Sequence, residues 1–74
     1  MPHYCGITTD LARRREEHEA QKKNVRNWTP ANGGVPFLSW SGAQDWENRQ
    51  PGVHDPGGAP ATGLWYGYCF DYDA

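Results

Sequence analysis

Between Leu64 and Tyr72 the chain alternates strictly. Leu64, Tyr66, Tyr68, Phe70 and Tyr72 fall on one side of an extended backbone, and Trp65, Gly67, Cys69 and Asp71 on the other. A strand has this two-residue side-chain period, and aromatic side chains suit its pleated surface. The stretch therefore predicts a β-strand, and a lone strand obliges the rest of the chain to supply partners. Residues 3–7 (HYCGI) read as one short strand and residues 35–40 (VPFLSW) as another, with Pro36 pointing to an edge or an early position.

The segments between these strands carry helix signals. Thr8 and Thr9 offer capping hydroxyls and Asp10 puts a negative charge in a first turn, so a helix is expected from Asp10 to about Lys23. Leu11, Arg14 or Arg15, His18, Lys22 and Val25 recur at helical spacing. That face is apolar only at its ends. A helix serving packing alone would carry Leu or Ala where Arg14 and His18 stand. Residues 24–34 read as a loop or a broken second helix, closed by Asn32-Gly33-Gly34. Ser41 is positioned to cap a short helix that ends near Gln50, where Pro51-Gly52 stops it, and residues 51–63 form a Gly- and Pro-rich loop. The expected architecture is a single α/β domain over residues 1–74, with a small three-stranded antiparallel sheet flanked by helices.

Charge narrows the function classes. The net charge is -2, which argues against general polyanion binding, yet the basic residues are concentrated. Arg13, Arg14, Arg15, Lys22, Lys23 and Arg26 lie between residues 13 and 26, and beyond them only Arg49 is basic. A locally basic helix suits phosphate, so Arg13, Arg15, Lys22, Lys23 and Arg26 are candidate nucleic-acid contacts. No apolar run approaches membrane-spanning length, and the first residues lack a basic segment followed by an apolar one. A cytoplasmic location is expected, with Cys5 and Cys69 as free thiols. His3, Cys5, His18, His54 and Cys69 match no paired zinc-ligand spacing.

The stretch YCGITTDLARRREEH, residues 4–18, resembles the second half of the signature of the GIY-YIG nucleases, in particular small members of the UvrC-like branch. Tyr4-Cys5-Gly6 matches the Tyr-Ile-Gly element with Cys for Ile. Arg14 falls at the place of the family's catalytic arginine and His18 at that of its helical histidine. The family's metal-holding glutamate follows an alanine by four residues on a later helix, and Ala43 and Glu47 share that spacing. The family's first strand, ending in Gly-Ile-Tyr, is missing ahead of Pro2. The strand at residues 64–70 offers a replacement. Counted through the joined termini, nine residues separate Tyr68 from Tyr4 and eleven separate Tyr66 from it, which bracket the family's spacing. The chain would then be a circular permutant opened at a hairpin tip, with residues 4–7 pairing antiparallel to residues 64–70. A strand added elsewhere on the sheet, or a truncated domain, is the competing arrangement, and a Cys5–Cys69 bridge belongs to the permuted one.

The resemblance implies a metal-dependent endonuclease that hydrolyses phosphodiester bonds, of DNA ahead of RNA. Glu47 would hold one Mg²⁺ or Mn²⁺, a hard cation that keeps several waters. Arg14 would donate to the non-bridging oxygens. Tyr4, with Tyr66 or Tyr68 as the second tyrosine, would position the attacking water, and His18 would orient a phenol or relay a proton. The alternative is a non-catalytic nucleic-acid- or protein-binding module on the same scaffold.

Overall fold

The computed structural model describes residues 2–54 and 64–73. In chain order the elements are β1 (His3–Thr8), α1 (Leu11–Gln21), β2 (Lys23–Pro30), a 3-10 turn (Ala31–Gly34), α2 (Trp40–Asn48), β3 (Val53–His54) and β4 (Tyr66–Asp73). The four strands form one sheet in the order β2-β4-β1-β3. β1, β4 and β2 make the expected three-stranded antiparallel part, and β3 adds a two-residue parallel pairing, Tyr4 with Val53 and Cys5 with His54.

The aromatic strand β4 is central. It pairs with β1 in antiparallel register, with Tyr4 opposite Phe70, Cys5 opposite Cys69, Gly6 opposite Tyr68 and Ile7 opposite Gly67. This is the partner required by the permuted arrangement. Its other edge takes β2, which corrects the expectation of a loop or broken helix over residues 24–34. The sequence has no two-residue period there because the ladder is bulged twice, between Lys23 and Arg26 and between Arg26 and Thr29. Asn24 and Asn27 sit in these intervals with φ of 53° and 56°. Asn tolerates this left-handed backbone better than other side-chain-bearing residues. Their amides reach back to β4: Asn24 Nδ2 donates to Asp73 Oδ2 at 2.6 Å and Asn27 Nδ2 to Asp71 Oδ2 at 2.9 Å.

Residues 35–40 do not form the expected strand. Pro36 has no N–H for a ladder, and the segment makes a single antiparallel bridge, Phe37 to Trp65. The helix after it begins at Trp40, capped by Ser39 and not by Ser41; the Ser39 side chain accepts from Gly42 N at 3.1 Å. Helix α1 runs from Leu11 to Gln21; its N-cap is Asp10, accepting from Arg13 N, and not Thr8 or Thr9, so Asp10 lies just before the first turn and Lys23 already belongs to β2. The Gly- and Pro-rich loop was placed at residues 51–63, and residues 55–63 of it lie outside the described part.

Alternation along β1 and β4 sends the two helices to opposite faces. Tyr4, Tyr68 and Phe70 form one buried cluster, joined by Leu11, Val25, Trp28 and Tyr72, and α1 covers it through His18. Ile7, Ala43 and Trp65 form the other, joined by Phe37, Trp40 and Trp46, and α2 covers that. Gly67 fits this second face for want of a side chain. A Cβ there would lie 2.6 Å from the Trp46 ring and 2.9 Å from the Ala31 Cβ.

The cysteines are not free thiols. Cys5 and Cys69, directly opposite in the β1–β4 ladder, are joined by a disulfide with Cα atoms 4.1 Å apart. Sixty-four positions apart in sequence, they are brought together only by the pairing of the terminal strands.

Candidate functional site

Helix α1 starts immediately after β1 and carries Arg14 and His18 four residues apart, neighbours on one side of the helix. His18 is its one buried residue and is fully covered. Its ring lies 4.8 Å from Tyr4, 5.5 Å from Tyr68, 4.7 Å from Phe70 and 6.5 Å from Trp28, centroid to centroid. A polar ring in such company needs a hydrogen bond. His18 Nε2 and the Tyr68 hydroxyl lie 2.8 Å apart and form that hydrogen bond. His18 therefore touches two other expected site residues, Tyr4 and Tyr68, which share its buried cluster. Tyr66 lies one alternation further along, opposite Thr8 and half-buried.

Arg14 faces a groove at the end of β1. β3 pairs only with Tyr4 and Cys5, so the strand edge beyond Cys5 has no described strand beside it. A cavity of about 260 Å³ opens there, lined among the described residues by Ile7, Thr8, Thr9, Arg13, Arg14, Glu17 and Trp65. Arg14 Nη1 donates to Glu17 Oε1 at 3.1 Å, a pair near the surface whose partners can exchange for other charges. Glu17 and Trp65 were not anticipated as site residues. Glu17 was legible as the i,i+3 partner of Arg14, whereas Trp65 enters only through the return of the C-terminal strand.

Glu47 is not among the residues that line this groove. It is one turn after Ala43 on α2, on the face opposite to α1, and is 1% exposed. Its Oε1 accepts from Gln44 Nε2 at 2.7 Å. A carboxylate is the right donor for Mg²⁺ or Mn²⁺, but such ions keep several waters, and a side chain this enclosed leaves them no room. In this conformation Glu47 does not fit a hydrated divalent cation.

The other basic candidates disperse. Arg13 joins Arg14 at the groove. Arg15 pairs with Glu19 and lies over the Trp28 ring, Lys22 lies over the rings of Tyr4 and Tyr72, and Arg26 binds Asp73. Lys23 is exposed in the first position of β2. The basic run thus forms one small cluster at the groove and several charges spent on local partners.

The far end of the β1–β4 ladder carries a second polar group. His3 Nδ1 donates to Asp71 Oδ1 at 2.7 Å, with the disulfide beside it. The hydrogen bond from His3, then that from Asn27, holds the Asp71 carboxyl below its ordinary value. Asp73 is lowered likewise, by Asn24 first and Arg26 second. No helix among the described residues is long and apolar enough to cross a membrane. Comparisons with protein-family models, with curated proteins and with solved structures each find no match for this chain.

Proposed function

We propose that the chain is an endonuclease domain of the GIY-YIG kind, with a nucleic-acid phosphodiester seated in the groove at the open end of β1. One observation carries this reading: the antiparallel register of β1 with β4. It supplies, from the C-terminus, the second tyrosine-bearing strand that the resemblance requires beside Tyr4-Cys5-Gly6. The chemistry of the groove agrees. The Arg14 guanidinium presents paired N–H donors suited to non-bridging phosphate oxygens, and Arg13 adds charge beside it. Binding there exchanges Glu17 for the phosphate on Arg14. The His18–Tyr68 pair lies one turn along α1 from Arg14, and Tyr4 packs edge-on against the imidazole. Behind the groove lining, the buried His18–Tyr68 pair holds the α1 face on which Arg14 stands.

Glu47, buried as it is, enters no step. DNA is the proposed substrate ahead of RNA, and the cytoplasm the proposed location. The reducing conditions of that compartment act against the Cys5–Cys69 bridge.

The second reading, a non-catalytic nucleic-acid-binding module, is favoured by the full burial of Tyr68 and the near-full burial of Glu47. Incubation with supercoiled plasmid and with a structured RNA, in Mg²⁺, Mn²⁺ or EDTA, separates the two. The endonuclease reading expects nicked or cut product from the wild type and its loss in Arg14→Ala. Retarded mobility without cleavage under every condition selects the binding module. Neither binding nor cleavage rejects both.

A further inference from the structure

On the α2 face of the β1–β4 ladder, two adjacent cross-strand pairs form a square: His3 opposite Asp71, and Cys5 opposite Cys69. The ligand-capable atoms of His3, Cys5 and Cys69 all lie within 4.8 Å of one another. We propose that this square is a redox-gated zinc site, which holds Zn²⁺ through Cys5 Sγ, Cys69 Sγ and His3 Nε2 when the disulfide is reduced and releases it when the disulfide forms.

The geometry of His3 is the main argument. The ionised Asp71 carboxylate has only acceptors, so the 2.7 Å contact requires the proton to sit on His3 Nδ1. The ring's other nitrogen, Nε2, then faces Cys5 Sγ, 3.5 Å away. A disulfide sulfur has no proton to offer in return. A carboxylate that fixes the tautomer of a histidine, whose other nitrogen faces sulfur, is the usual outer support of a zinc-binding histidine. Two thiolates and one imidazole are donors that zinc prefers, at about 2.3 Å for sulfur and about 2.0–2.1 Å for nitrogen. Three protein ligands leave a fourth position for solvent, and the half-exposed His3 ring gives it an entrance.

The chemistry balances. A dithiol reductant gives two electrons to the Cys5–Cys69 bond and becomes a disulfide itself. The S–S bond breaks, and the two sulfurs take up two protons. Zn²⁺ then displaces both protons to solvent and forms two Zn–S bonds. In the reverse direction a disulfide oxidant accepts the two electrons, the Cys5–Cys69 bond re-forms and Zn²⁺ leaves. Linear spacing could not show this site, because its ligands belong to opposite ends of the chain.

The test is a titration of the whole chain, reduced with a thiol-free phosphine, against Zn²⁺ in competition with a chromophoric chelator. Far-UV circular dichroism is recorded on the same samples, and Co²⁺ serves as a spectroscopic substitute. The reduced wild type is expected to bind one zinc while retaining its secondary structure and to give an intense sulfur-to-cobalt band; the oxidised wild type is expected to do neither. His3→Ala and Asp71→Asn keep both thiols and should each weaken zinc by about 10–100-fold. Absence of stoichiometric binding to the reduced wild type overturns the proposal. So does unchanged affinity in either variant, or equal affinity in a urea-unfolded chain.

Discussion

At the residue scale the least expected feature is a fully buried histidine on a helix otherwise rich in charge. Its bond to Tyr68 explains why the position is not Leu. Tyr68→Phe removes the hydroxyl and leaves a buried nitrogen short of that partner, so urea unfolding should show a loss of about 1–3 kcal/mol. His18 was legible as an anomaly in helical spacing, but Tyr68 as its partner was not, because only strand register places residue 68 under residue 18. Tyr66 and Tyr68 were equal candidates by count, and alternation puts both on the α1 face. The hydrogen bond to His18 distinguishes Tyr68.

A second residue-scale prediction concerns Asp71, which accepts from His3 and Asn27. Its folded-state pKa lies below the ordinary value of 3.8. The stability it contributes is therefore fully present above the unfolded value and is lost as pH falls through the depressed folded value. Asn27→Gly keeps the positive φ while deleting the amide. A carboxyl-carbon NMR titration should find Asp71 lowered in the wild type and shifted back toward 3.8 in the variant. An unchanged midpoint would contradict this account of the bulge.

At the scale of elements, legibility followed regularity. β4 was plain because its alternation runs unbroken, and β1 and α1 because a strand is followed by Thr8, Thr9 and Asp10, although the cap proved to be Asp10 and not a threonine. β2 was hidden by its two bulges: each inserts a residue, resets the face and erases the period. α2 was found, but its start was placed two residues late, since Ser39 and Ser41 offer the same hydroxyl and only the path of the chain selects between them. Ser39→Ala should cost about 1 kcal/mol and Ser41→Ala far less, measured by thermal or urea unfolding. Gly67→Ala tests the sheet–helix approach. The added methyl would meet the Trp46 ring and the Ala31 methyl, and about 1–3 kcal/mol should be lost.

For the whole molecule, what matters is how the ends meet. The C-terminal strand returns to the centre of the sheet beside the N-terminal one, and the disulfide then ties the two together. Spacing through the termini suggested this closure. The disulfide was underweighted because two cysteines at the extremes of a sequence look unrelated until the strands between them are ordered. Glu47 was the reverse case, a residue of the right type and spacing that lies almost fully buried on α2 and outside the lining of the groove that holds Arg14. Closing a loop of this length constrains the unfolded chain, and replacing both cysteines by Ser should cost about 2–5 kcal/mol in denaturant unfolding without zinc. A double variant as stable as the oxidised wild type would show that the paired strands alone hold the ends.

The central functional claim is that phosphodiester cleavage takes place in the groove beside Arg14. Single-turnover cleavage of a short labelled DNA duplex tests it most directly, comparing wild type, Arg14→Ala and Arg15→Ala. Arg15 is the next residue on the same helix but pairs with Glu19 and lies over Trp28, away from the groove lining. The account predicts cleavage by the wild type, a rate at least about 100-fold lower in Arg14→Ala, as for removal of a transition-state donor, and little change in Arg15→Ala. Equal rates in the two variants, or a wild type that leaves the duplex intact, would contradict it.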